Sequence, residues 1–102
     1  MGYEYRIHTE PPITNLEAAC SSVFANSEWQ RIPTSLVDRP DGIGVRLGSI
    51  PDDPSWPQDA DLCLEQDGGV YVCCHNRNGK EFLRAFVESL EALKCKVVVD
   101  DI

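Results

Sequence analysis

The residues with the most chemistry in the smallest span lie between Asp61 and His75, in DLCLEQDGGVYVCCH. If Cys63, Cys73 and His75 share one face of a hairpin, two thiolates and an imidazole supply three zinc ligands. Asp61 then serves as the fourth ligand or as the group that orients the ring of His75. The same side chains allow a second chemistry, in which His75 is the base that activates the Cys73 thiol as a nucleophile. Adjacent Cys73 and Cys74 point to opposite faces of a strand, so the CCH triplet is not itself a cluster. No zinc-motif spacing is met, and cysteine in a half-buried sheet commonly acts as a small apolar residue. Packing is therefore the first reading of these thiols, a metal or thiol site on the 61–75 hairpin the second, and no cofactor is implied.

Register decides which side chains meet. A three-residue loop, Asp67, Gly68 and Gly69, has glycine available for a left-handed position. It pairs Gln66 with Val70, Glu65 with Tyr71, Leu64 with Val72, Cys63 with Cys73, and Asp61 with His75. A two-residue loop would oppose Leu64 to Tyr71 and mix the faces. The longer loop sets apolar residues opposite one another and leaves Asp61, Cys63, Glu65, Tyr71, Cys73 and His75 on the other face.

The elements that hold this hairpin read as follows. Tyr3, Tyr5 and Ile7 alternate with Glu4, Arg6 and His8, a strand with one face on a core and His8 solvated on the other. Pro11 and Pro12 end it. Thr14 and Glu17 form a capping box, with Ile13 stapling against Ala18, and Leu16, Ala19, Cys20, Val23 and Phe24 continue at helical spacing to about Asn26. Glu28 to Pro33 reads as a link whose Trp29 covers the end of the core. Leu36 and Val37 begin a second strand, Asp38 to Gly42 reverses the chain, and Ile43, Val45 and Leu47 alternate down a third, where Gly44 suggests a bulge or bend.

From Gly48 to Asp59 the chain reads GSIPDDPSWPQD, too rich in proline for a helix or a central strand. A loop of this length is often functional, and Trp56 beside Asp52 and Asp53 has the composition of a protein-binding surface. Asn78 with Glu81 is expected to cap the second helix, whose broad apolar face is Phe82, Leu83, Phe86, Val87, Leu90 and Leu93. Cys95 stands where a stop glycine is usual, so packing is expected to end the helix. Val97, Val98 and Val99 form a β-branched run expected inside a sheet, reached by a parallel crossover.

The 102 residues form one domain, 1–102, with 42% apolar and 25% charged residues, inside the globular range. Net charge is −8 with the basic residues scattered, which argues against nucleic acid. No apolar run is long enough to span a bilayer and no basic segment precedes an apolar one near the start, so a soluble, cytoplasmic protein is expected, without a membrane partner. Five cysteines, an odd number, fit reduced thiols.

These elements give an α+β domain, a two-layer sandwich of a mixed, mostly antiparallel sheet with two helices on one face, in the order β-α-β-β-β-β-α-β. The order resembles a ferredoxin-like arrangement with an inserted hairpin. No reaction motif is present, so the expectation is a small acidic non-enzymatic protein, a protein-binding or inhibitory module contacting its partner through Asp52, Asp53 and Trp56. In size and charge the chain is similar to bacterial immunity proteins. The alternatives are the thiol or metal site and a homodimeric structural protein that self-associates through a sheet face or edge.

Overall fold

A computed structural model describes residues 3–25, 29–34, 36, 41–48 and 58–101. Its elements are β1 (Tyr3–Glu10), α1 (Leu16–Ala25), β2 (Trp29–Ile32), β3 (Ile43–Leu47), β4 (Ala60–Leu64), β5 (Val70–Cys74), α2 (Arg77–Ala92) and β6 (Lys96–Asp101). The six strands form one sheet in the order β2-β3-β4-β5-β1-β6. Every neighbouring pair is antiparallel. The parallel relation expected between β5 and β6 exists across the intervening β1, so α2 connects them as a split β-α-β unit.

Alternation sorts the side chains onto two faces. Ile7, Ile43, Val45, Ala60, Leu62, Val70, Val72 and Cys74 are buried together with Leu16, Cys20 and Val23 of α1 and Phe82, Leu83, Phe86 and Leu90 of α2. Both helices therefore cover one face. Phe82 is the hub: its ring stacks on Phe86 at 6.1 Å between centroids and takes the edge of Trp29 at 5.4 Å.

That aromatic contact explains a correction to the second strand. It comprises Trp29–Ile32, the segment expected as a link, while Leu36 lies outside any strand and Val37 falls outside the described residues. Trp29 is anchored on Phe82 and Arg31 pairs with Glu17 of α1, so contacts with the helices fix this strand where a short apolar pair does not. Asp38 to Pro40 of the turn expected over Asp38 to Gly42, and residues 49–57 of the loop expected from Gly48 to Asp59, likewise lie outside the described residues.

The helix ends also differ in detail. Asn15, not Thr14, caps α1 by accepting the Ala18 N–H at 3.1 Å. Asn76, not Asn78, caps α2 by accepting the Gly79 N–H at 2.9 Å. At its other end the Lys94 N–H donates to the Glu91 carbonyl at 2.9 Å and the Cys95 N–H to the Leu90 carbonyl at 3.2 Å, with Lys94 at φ 65°. This is a Schellman stop made by local chemistry, with lysine in the left-handed position glycine usually takes. Leu93 sits on it as the cap and is 66% exposed, outside the apolar face assigned to it.

The largest departure concerns β6. The Val97–Val99 run is expected inside the sheet, yet β6 is one of its two edge strands and pairs, among the described residues, only with β1. Val98 is 48% exposed and Val99 41%. β-branched composition reports a preference for neighbours on both sides, and the described residues supply one.

Candidate functional site

The 61–75 hairpin closes through the Glu65 N–H to the Gly69 carbonyl at 2.7 Å and the Gly68 N–H to the Glu65 carbonyl at 3.0 Å. Gly68 takes the positive φ, 85°, so the three-residue loop is Gln66, Asp67 and Gly68, one residue earlier than expected. The pairing slides accordingly. Cys63 lies opposite Tyr71 and Asp61 opposite Cys73, in place of Cys63 with Cys73 and Asp61 with His75. A slide of two residues leaves each side chain on its face, and Asp61, Cys63, Tyr71, Cys73 and His75 remain together on the face away from the helices.

On that face His75 Nε2 is 2.7 Å from Asp61 Oδ2, and the Thr34 hydroxyl donates to Asp61 Oδ1 at 2.8 Å. The Asp61 side chain is fully buried and that of His75 only 9% exposed. An ionised carboxylate accepts only, so the ring donates to Asp61 from Nε2, while Nδ1 faces Cys73 Sγ, 3.9 Å away. After Ile32 the chain bends over this face: a Cβ on Gly44 would lie 2.5 Å from the Pro33 carbonyl oxygen. Gly44 thus makes room for a crossing backbone while pairing in register with Ile32 and Asp61. Gln58 reinforces the crossing by donating to the Pro33 carbonyl at 2.9 Å.

The order thiol, imidazole, carboxylate is the connectivity of a cysteine nucleophile system. The electrostatics oppose that use. Burial first, then the negative charges of Glu4 and Asp61, push the Cys73 thiol above its ordinary value, outweighing the nearby Tyr71 hydroxyl, which lowers it. The Tyr71 hydroxyl, itself raised by burial, is bonded to Glu4. Activated thiols sit among cations, and this one sits among acids. As for metal, Cys63 is fully buried opposite Tyr71, and among the described residues no three His, Cys, Asp or Glu side chains gather as a metal-binding group.

Thr34 and Glu4, which complete this polar network, went unnoticed in sequence because both are distant from the hairpin along the chain. The expected partner-binding residues, Asp52, Asp53 and Trp56, lie outside the described residues. Among the described residues no helix is long and apolar enough to cross a membrane.

A second feature of the surface is the outer edge of β6, with which, among the described residues, no strand pairs on the side away from β1. Beside it runs a groove of about 420 Å³ between β6 and α2, with Tyr5, Leu83, Val87 and Val99 in its apolar lining and Arg84 and Glu88 among its charged residues. No protein-family model matches the chain, and neither a curated protein nor a solved structure is significantly similar to it.

Proposed function

We propose that this protein is a non-catalytic protein-binding module whose binding element is the open edge of β6 with the adjoining α2 groove. The observation that carries this reading is a β-branched strand at the rim of the sheet with Val98 and Val99 nearly half exposed. A strand edge offers unpaired N–H and C=O groups, and an extended segment of another polypeptide adds to it by main-chain hydrogen bonds while its alternate side chains enter the groove. Asp52, Asp53 and Trp56 stay part of the reading on sequence grounds as a second contact suited to a basic partner. Five free thiols favour a reducing compartment such as the cytoplasm.

The test uses a blocked, fluorescently labelled peptide of alternating valine and lysine as a strand probe. Anisotropy is expected to report binding to the wild-type chain and at least tenfold weaker binding to Val98→Lys, about 1.4 kcal/mol, with an unchanged circular dichroism spectrum. Equal binding to both forms, or none at dilutions where the chain is monomeric, refutes the proposal.

A second reading, a thiol site at Cys73, is favoured by one observation, the alignment of Cys73, His75 and Asp61. It requires Cys73 to react with iodoacetamide at neutral pH faster than a free thiol. Slower alkylation dismisses it, and the acidic surroundings of the thiol favour the slower result.

A further inference from the structure

We infer that the natural occupant of the β6 edge is the β6 of a second copy of this chain, paired antiparallel about a two-fold axis through Val98. This rests on the reading of β6 as the binding element and names its partner. The strand reads Lys96, Val97, Val98, Val99, Asp100, Asp101. In an antiparallel pair related by a two-fold axis perpendicular to the sheet, some residue faces its own copy, and this limits the registers to those centred on a single residue.

With Val98 on the axis, Lys96 of each copy faces Asp100 of the other, and Val97 faces Val99. Centring on Val99 opposes Val98 to Asp100 and Val97 to Asp101, and centring on Asp100 brings two aspartates face to face. Like charges directly opposite one another destabilise a strand pair, and opposite charges support it. The Val98 register is therefore the one the sequence selects.

The neighbouring strand strengthens the match. Arg6 of β1 lies opposite Asp100, and Glu10 opposite Lys96. Across the joined sheet one row then reads Arg6 and Asp100 of one copy, followed by Lys96 and Glu10 of the other, alternating in sign over four strands, and the two-fold axis generates the same row again. On the helix side, Val97 and Val99 of the second copy come to lie beside the groove lined by Leu83 and Val87. Physiological salt screens the repulsion between the two net charges of −8 beyond about 8 Å, so only charges close to the join oppose association. A join at this edge places Val97–Val99 inside a continuous sheet, the environment their β-branched run prefers.

Sedimentation equilibrium over a concentration series tests the inference, with the valine–lysine peptide assay run alongside. The wild-type chain is expected to reach twice its monomer mass. Lys96→Asp and Asp100→Lys should each weaken the dimer about tenfold, because the axis duplicates every change. The double exchange should restore it by re-forming both pairs with signs reversed. Oxidation of Val98→Cys should link two chains through that position, located by peptide mapping apart from the native thiols.

A monomer at every concentration that still binds the peptide at β6 overturns the second copy as occupant and leaves the binding module standing. A monomer that ignores the peptide overturns both. A dimer indifferent to Val98→Lys and to the charge exchanges has its interface elsewhere and overturns the inference.

Discussion

His75 Nε2 and Asp61 Oδ2 lie 2.7 Å apart on the sheet face opposite the helices, with the carboxylate fully buried and the imidazole nearly so. A buried carboxylate is tolerated only when its oxygens are satisfied, and here Thr34 takes the other one. The pair therefore does two structural jobs at once. It ties the end of β5 to β4, and through Thr34 it holds the chain leaving β2 against the sheet.

Removing the carboxylate is expected to cost more than the two hydrogen bonds it makes, because the Thr34 hydroxyl and the His75 N–H are left without it. Asp61→Ala should destabilise the fold by about 3 kcal/mol. Asp61→Asn, which keeps an acceptor oxygen, should cost about half as much. Urea denaturation of the three proteins measures both values, and a loss below about 0.5 kcal/mol in the alanine variant would mean that Asp61 holds nothing in place.

Alkaline pH is expected to weaken the fold through its buried thiols. Burial pushes Cys20 and Cys74 from an ordinary value of 9.0 up to about 12. Between these values the unfolded chain releases thiol protons that the folded chain retains. Stability from each thiol is thus complete below about 9 and is lost as pH rises toward 12, with a limiting slope of about 1.4 kcal/mol per pH unit for each. Urea midpoints at pH 8 and pH 10.5 should show the fall, and Cys74→Ala should have a shallower pH dependence even though its stability at pH 8 is lower.

The face assignments were legible in the sequence because period-two alternation survives a slide of two residues, which is why Asp61, Cys73 and His75 share a face under either pairing. The register itself was not legible. It depends on whether Gly68 or Gly69 takes the left-handed position, and the local sequence offers both. The element order followed from turn and cap residues, whereas β2 depended on Trp29 finding Phe82, a contact across more than fifty positions. In β6 the β-branched composition suits a strand with two neighbours, and composition has no means to say that, among the described residues, only β1 pairs with it.

At Gly79 the start of α2 lies directly against the chain that enters β4. A Cβ at this position would lie 2.1 Å from the Asp59 carbonyl oxygen, itself the acceptor for the His75 backbone N–H at 2.8 Å. Alanine in place of glycine inside a helix ordinarily stabilises by about 1 kcal/mol. Here the sign should reverse: Gly79→Ala is expected to destabilise by about 2–3 kcal/mol, since backbone on both sides must move. Thermal unfolding monitored by circular dichroism measures the sign directly, and a raised midpoint would show that the helix and the Asp59 backbone can separate freely.

Lys94 gives the opposite case, a position where glycine should help. Its φ of 65° places a side chain in the left-handed region, where Cβ crowds the following carbonyl, while the Schellman hydrogen bonds to Leu90 and Glu91 use only backbone atoms. Lys94→Gly removes the crowding and keeps those bonds, at the expense of a more flexible unfolded chain and of a positive charge near the helix's negative end. The first effect is larger, so a net gain of about 0.5 kcal/mol is expected. Lys94→Val, β-branched at the same φ, should instead lose about 1 kcal/mol. Urea unfolding of both variants beside the wild type checks the order glycine, lysine, valine. Valine as stable as lysine would mean that the helix stop is held by the packing of Leu90 and Cys95 and not by the conformation of residue 94.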